Sequence, residues 1–331
     1  SPKNVDTPAI RFADRVNRIA PSPTVAISSL ALDLRAAGRD VIGLATGEPD
    51  FPTPPHVCDA AMRAIRDGHT RYTQVDGIPE LKAAIIRKFE RENGITFMPE
   101  NISVGTGGKQ VLFNALMATV QEGDEVVIPA PYWVSFAGIV EVAGGTPVYV
   151  TSGFADGLKM TADSLAAAIT PRTRWVIINS PSNPTGMGYS AAELRALADV
   201  IRPHEQVMVI SDDLYEHLTY DGFAFHTLAA LDPDMAGRIL TLNGVSKSYC
   251  MTGWRIGFAA APAPLVRAMA KLQSQSTSCP NSIAQHAAIA ALDGPTDFIA
   301  DNNAAFARRR GRVLAALNAM EGISCPAPDG A

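Results

Sequence analysis

Lys247 lies in the run Asn243-Gly-Val-Ser246-Lys247-Ser-Tyr-Cys-Met-Thr-Gly253-Trp-Arg255-Ile-Gly-Phe258. A lysine amine is protonated and inert in water, but one fixed inside a pocket can form a Schiff base with a carbonyl compound. Arg255, eight residues on, carries a planar fork suited to a phosphate, and Gly253 between them permits close backbone approach. A Ser-Lys pair standing alone is far more often an exposed loop. Three other segments change that balance.

The run Val207-Met-Val-Ile-Ser211-Asp212-Asp213-Leu-Tyr215 is an apolar strand ending in two acids. It leaves one carboxylate at the strand's carboxyl end, able to pair with a protonated ring nitrogen, with the Tyr215 phenol nearby; its plain alternative is a helix N-terminus decorated with acids. Asn179-Ser-Pro-Ser-Asn183-Pro-Thr-Gly186 is a rigid turn that holds the Asn183 amide at little entropic cost, or else only a loop. Val104-Gly-Thr-Gly107-Gly108-Lys109 runs from a strand through glycines into a helix whose N–H groups form an anion site, with Lys109 adding charge. It has neither the Walker spacing nor that of a dinucleotide fingerprint, so the expected anion is a phosphate without a nucleotide.

Residues that converge in this way need a scaffold that lines up strand ends. Short β-branched runs at 102–105, 125–128, 146–150, 174–179, 207–211, 239–242 and 256–260 alternate with segments of helical period. That pattern predicts an α/β fold with a mostly parallel sheet flanked by helices, whose ligands sit outside the carboxyl ends of the strands. Pro79 opens a helix that stops at Asn93-Gly94, and Ser190 with Glu193 forms a capping box. The first forty-odd residues read as an arm and a short helix. A long polar-faced helix starts near Asp297, its Arg308-Arg309-Arg310 run on a solvated face, and a Pro/Gly-rich tail follows.

The 331 residues, 47% apolar and 18% charged, suffice for a large core and more than one lobe. A formal charge of −5 offers no basic field for nucleic acid or an anionic membrane, and no apolar run is long enough to span one. The four cysteines, Cys58, Cys250, Cys279 and Cys325, lack metal or redox spacing, so no metal site is expected and a reducing cytoplasm fits.

Taken together, the segments resemble the pyridoxal-phosphate aminotransferases of fold type I, specifically the bacterial aspartate aminotransferases. The likeness runs from about Ala20 to Ala331 and includes Gly47-Glu-Pro-Asp-Phe51, Tyr72-Thr-Gln-Val-Asp-Gly-Ile-Pro-Glu-Leu81 and Pro131-Tyr-Trp133-Val-Ser135. The resemblance implies that Lys247 anchors the cofactor covalently and shuttles the proton, and that Asp212 keeps the pyridine nitrogen protonated. By the same likeness Tyr215 and Asn183 bond the 3′-oxygen, while Trp133 stacks on the ring, a core indole being its competitor. Gly107, Gly108, Lys109 and Arg255 cradle the phosphate, Ser246 lies near it, and Tyr72 reaches it from a second subunit, which predicts a homodimer with shared sites. Gly47, Lys109, Trp133 and Asn183 border the substrate.

The implied reaction is a ping-pong exchange between an amino acid and a 2-oxo acid, with aspartate as donor and 2-oxoglutarate as acceptor if Lys109 faces a distal carboxylate. Aromatic amino acids or prephenate remain alternatives, as do a β-lyase or decarboxylase and a cofactor-bound sensing domain. By domains, the resemblance implies an arm and small-domain segment over 1–45, a large cofactor domain over 46–296, and an interdomain helix opening a smaller α+β domain over 297–331. Family members continue past the equivalent of Pro328-Asp-Gly-Ala331 into the rest of that small domain and its α-carboxylate arginine. No residue here takes that role, and the small domain is expected to be incomplete.

Overall fold

The computed structural model describes residues 10–331; the first nine residues of the expected arm lie outside the described part. Seven strands, β1 (Ile102–Thr106), β2 (Glu125–Ala130), β3 (Thr146–Thr151), β4 (Thr173–Asn179), β5 (Met208–Asp212), β6 (Ile239–Gly244) and β7 (Ile256–Ala260), form one sheet in the order β1-β7-β6-β5-β4-β2-β3. All seven expected runs are strands. The pairs β3–β2–β4–β5–β6 are parallel, and β7 runs antiparallel to both its neighbours.

Twelve helices accompany the sheet among the described residues: α1 (Asp14–Arg18), α2 (Pro23–Ala36), α3 (Pro55–Arg66), α4 (Pro79–Lys88), α5 (Gly108–Thr119), α6 (Ser135–Ala143), α7 (Ala162–Ala168), α8 (Ala191–Ile201), α9 (Leu228–Leu231), α10 (Ala263–Ser274), α11 (Ser282–Asp293) and α12 (Asp297–Asn318). Period-2 alternation divides the central strands between two cores. Val126 and Ile128 face α5, α6 and α10, while Val127 between them faces α7, α8 and α9. A third cluster joins α3, α4 and α11 to Ile102, Val104, Ile256 and Phe258.

Local signals act where the sequence puts them. Ser190 Oγ accepts from the Glu193 N–H at 3.2 Å, and Glu193 Oε2 accepts from the Ser190 N–H at 2.7 Å, so two orphan donors of α8 are satisfied reciprocally. Pro79 opens α4, and Gly94 ends the segment at φ 67°. Between them the ladder loosens into a π-helical turn over Phe89–Asn93.

Two expectations change. The N-terminal segment carries two helices rather than one, and neither α1 nor α2 buries a residue. The arginine run is not wholly solvated. Successive residues on a helix point about 100° apart, so the three diverge: Arg309 pairs with Asp50 at 2.8 Å, while Arg310 turns inward, 14% exposed, onto Asp221 (2.8 Å), the Pro328 carbonyl (2.9 Å) and the Tyr220 ring.

Candidate active site

Parallel pairing sets the floor of the site. Register aligns Asn179 at the end of β4 with Asp212 at the end of β5, and Asp212 with Leu242 of β6, so three loops leave the sheet side by side. Asn179 ties two of them together, donating from Nδ2 to the Asp212 carbonyl at 3.1 Å and accepting the Asn183 N–H at 2.8 Å. No helix follows the two acids, which disposes of the helix-terminus alternative for Asp212; a turn carries Tyr215 back over the strand ends.

Asp212 is 5% exposed and its Oδ1 accepts one hydrogen bond, from the Leu214 N–H at 3.2 Å. Burial lifts its carboxyl to about 7, with the Leu214 bond opposing. A buried carboxylate so poorly compensated favours a cationic N–H placed against it. The Tyr215 phenol is raised to about 12 by burial and by the Asp212 charge, while the Asn183 amide at the phenol pulls the other way. Those three side chains thus meet.

Lys247 joins them from the loop after β6. Its Nζ donates to the Gly47 carbonyl at 2.7 Å and lies 5.9 Å from the centre of the Tyr215 ring. Burial depresses the lysine; the Glu48 charge opposes and the Arg255 charge assists. Gly47 therefore meets Lys247 through its carbonyl, and Glu48 beside it is anchored by Thr252 Oγ1, which donates at 2.8 Å.

The remaining wall is cationic. Gly107 at φ 83° precedes α5, whose N-terminus has no side-chain cap. A Cβ at Gly107 would lie 2.7 Å from Arg255 Cζ, so the guanidinium packs directly on the glycine turn. Arg255 takes φ 57° and donates to the Thr252 carbonyl at 3.1 Å. Lys109 stands 5.0 Å from the centre of the half-buried Trp133 ring and is depressed by burial and by Arg255. Among the described residues neither cation has an acidic partner within salt-bridge distance. Trp133 also packs edge-on against Phe136, so it is both part of the core margin and a face of the site. Ser246 is buried at the start of the Lys247 loop. Tyr72 is 94% exposed and makes no hydrogen bond to the described residues.

A family model for class I and II aminotransferases matches residues 39–331. The chain is 59% identical over 320 residues to an aspartate/prephenate aminotransferase from Cereibacter sphaeroides, covering 97% of this chain and 80% of that protein. It is 52% identical to an aspartate aminotransferase of Rhizobium meliloti, covering 97% and 78%. The chain belongs to the class I and II aminotransferase family. Its fold matches the crystal structure of the aspartate aminotransferase from Rhizobium meliloti with a TM-score of 0.95 at 51% identity, covering 98% of this chain and 81% of that one. The Thermus thermophilus aspartate aminotransferase with maleate gives 0.93 at 42%, covering 98% and 84%.

The cofactor of these aminotransferases is pyridoxal 5′-phosphate, and the site fits its three functional parts. Asp212 is an undercompensated carboxylate for the pyridine nitrogen, Lys247 a depressed amine for the aldehyde, and the uncapped α5 with Arg255 an anion cradle for the phosphate. Sequence reasoning missed the bridging Asn179, whose signal was its place at a strand end next to Asp212. It also missed Gly257, where a Cβ would overlap the backbone of Gly107 and Gly108.

Proposed function

We propose that this aminotransferase moves the amino group of L-aspartate to 2-oxoglutarate by a ping-pong exchange, with the residues above as its machinery. The observation that carries the reading is the depressed Lys247 amine 5.9 Å from the Tyr215 ring, whose phenol also meets Asn183 and the charge of the buried Asp212. When bound, the cofactor supplies an aldehyde that condenses with amines and a ring that takes up the electrons of the α-C–H bond. Lys247, depressed toward the neutral amine, serves as the covalent anchor and, once released, moves the proton at the substrate α-carbon. Asp212 holds the proton on the pyridine nitrogen, because in its dry setting a cation beside it restores the compensation it lacks. Tyr215 and Asn183 donate to the 3′-oxygen. Gly107, Gly108, Ser246 and Arg255 hold the phosphate.

Lys109, over Trp133 and without an acid of its own, faces the distal carboxylate of a dicarboxylic substrate. Support for that choice comes from the relatives' names and from the maleate, a four-carbon dicarboxylate, in the Thermus protein. The Cereibacter protein's name favours prephenate as a second acceptor, so both are to be assayed.

As part of the same reading, two copies share their sites, with Tyr72 of each serving the other's phosphate; its 94% exposure and the uncovered Val25, Ile27, Leu30 and Leu32 of α2 support a partner there. A cytoplasmic setting suits the four free cysteines, and no described helix is long and apolar enough to cross a membrane. Released oxaloacetate in the presence of 2-oxoglutarate and excess cofactor tests the reaction. Lys247→Ala lowers turnover by at least about 10³-fold, and undiminished turnover would contradict the assignment.

A further inference from the structure

Ser248, next to Lys247, is 4% exposed, and its Oγ lies 2.8 Å from His217 Nδ1. The other ring nitrogen, Nε2, lies 2.8 Å from Glu92 Oε2. Glu92 reaches this point from the π-helical turn at Phe89–Asn93, a rare kind of turn that is frequent at functional sites. The row Glu92–His217–Ser248 thus ties three separate segments: the turn after α4, the loop that leaves β5 at Asp212 and carries Tyr215, and the loop after β6 that carries Lys247.

The charged groups around the row are paired, while the Tyr249 hydroxyl, Asp213 Oδ2 and Asn303 Oδ1 beside it are buried without a partner. Lys88, 1% exposed, forms an ion pair with Glu216 and lies 3.6 Å from Glu92. Asn93 and Asn243 donate to the two Glu216 oxygens at 2.8 and 2.9 Å, Arg91 reaches Glu92 at 2.9 Å, and the Tyr249 ring meets His217 edge-on. Glu92, Glu216 and His217 converge closely enough to hold a metal ion, but the Lys88 ammonium already sits between the two carboxylates, so the chain supplies its own cation. Burying charges is costly, and an apolar set would hold these loops at less cost. What the polar row adds is direction. Burial works against the Glu92 carboxylate, yet the His217 hydrogen bond and the Lys88 charge hold it at about 2. It stays ionised through the working range, fixes Nε2–H as a donor, and turns Nδ1 to Ser248.

We propose that Glu92, His217 and Ser248 are positioning residues that fix the orientation of Lys247 toward Gly47 and the Tyr215 ring. The row acts through the backbone of the residue it adjoins. This rests on the reading of Lys247 as the reacting lysine.

Labelling of lysines by an amine-reactive anhydride in the cofactor-free protein, followed by mass spectrometry across pH, reads the Lys247 amine without turnover, with the exposed Lys271 as internal reference. Ser248→Ala and His217→Gln are expected to shift the Lys247 midpoint by about half a pH unit or more, and Ser248→Thr, which keeps the hydroxyl, to restore it. In the loaded enzyme the first two lower kcat about 10-fold, with KM changed less than about twofold. A Lys247 midpoint that stays at the wild-type value in Ser248→Ala overturns the proposal, even where the melting temperature falls. Should His217→Gln not fold, the Ser248 pair decides alone. Full turnover in Lys247→Ala instead overturns the reading of Lys247 itself, whatever the other variants do.

Discussion

Asp212 sits in the fold at a cost that its proposed partner removes. Its folded pKa of about 7 lies above the ordinary 3.8, so the folded chain keeps this proton longer than the unfolded one. Its contribution is fully present below about pH 3.8, declines as pH rises through about 7 and then levels. In the cofactor-free protein Asp212→Asn therefore matches the wild type near pH 4 and exceeds its stability at pH 8 by up to about 4 kcal/mol, while the loaded enzyme loses activity. Thermal midpoints of the two cofactor-free proteins at the two pH values check this, and an Asn variant less stable at pH 8 would refute it. Lys247, Asp212 and Arg255 were legible as residues because each is a reactive type beside a strand end. Their electrostatic state was not, since desolvation is set by side chains distant in sequence.

At the scale of elements, β7 decides whether the phosphate cradle can form. Register places Gly257 opposite Gly105, two residues before the Gly107–Gly108 turn, and no side chain fits there. Gly257→Ala is expected to push the turn off Arg255, weaken cofactor binding by about 10-fold or more and, because the clash is with backbone, lower the melting temperature of the cofactor-free protein as well; titration and thermal melts of the apoprotein measure the two effects. Six of the strands were readable from apolar runs buried on both faces, and the edge strand β3, buried only at Val150, from its β-branched residues alone. The reversal of β7 was not read, although eleven residues, 245 to 255, separate it from β6, fewer than a crossover to a parallel neighbour needs. The π-helical turn left no mark at all: Phe89-Glu-Arg-Glu-Asn93 is ordinary helical composition, and its pitch follows from the pairing of Glu92 and Asn93 across the fold.

For the whole molecule, the proposed sharing of sites makes a quantitative demand. If Tyr72 serves its neighbour, a Lys247→Ala chain and a Tyr72→Ala chain complement each other, because one of the two sites in the mixed dimer keeps both residues. Mixing the two at equal amounts and limiting cofactor restores about a quarter of wild-type activity, and activity no greater than the sum of the parents would rule the sharing out. The sequence signalled this through Tyr72 alone, while the uncovered face of α2 emerged only with the fold. The central claim, that this chain takes the amino group of aspartate through Lys247, is tested most directly by a single half-reaction. Cofactor-loaded protein given L-aspartate and no acceptor is predicted to release about one oxaloacetate per site, with loss of the lysine-bound absorbance band. Ammonia or carbon dioxide in place of oxaloacetate, or an equal yield from Lys247→Ala, would contradict it.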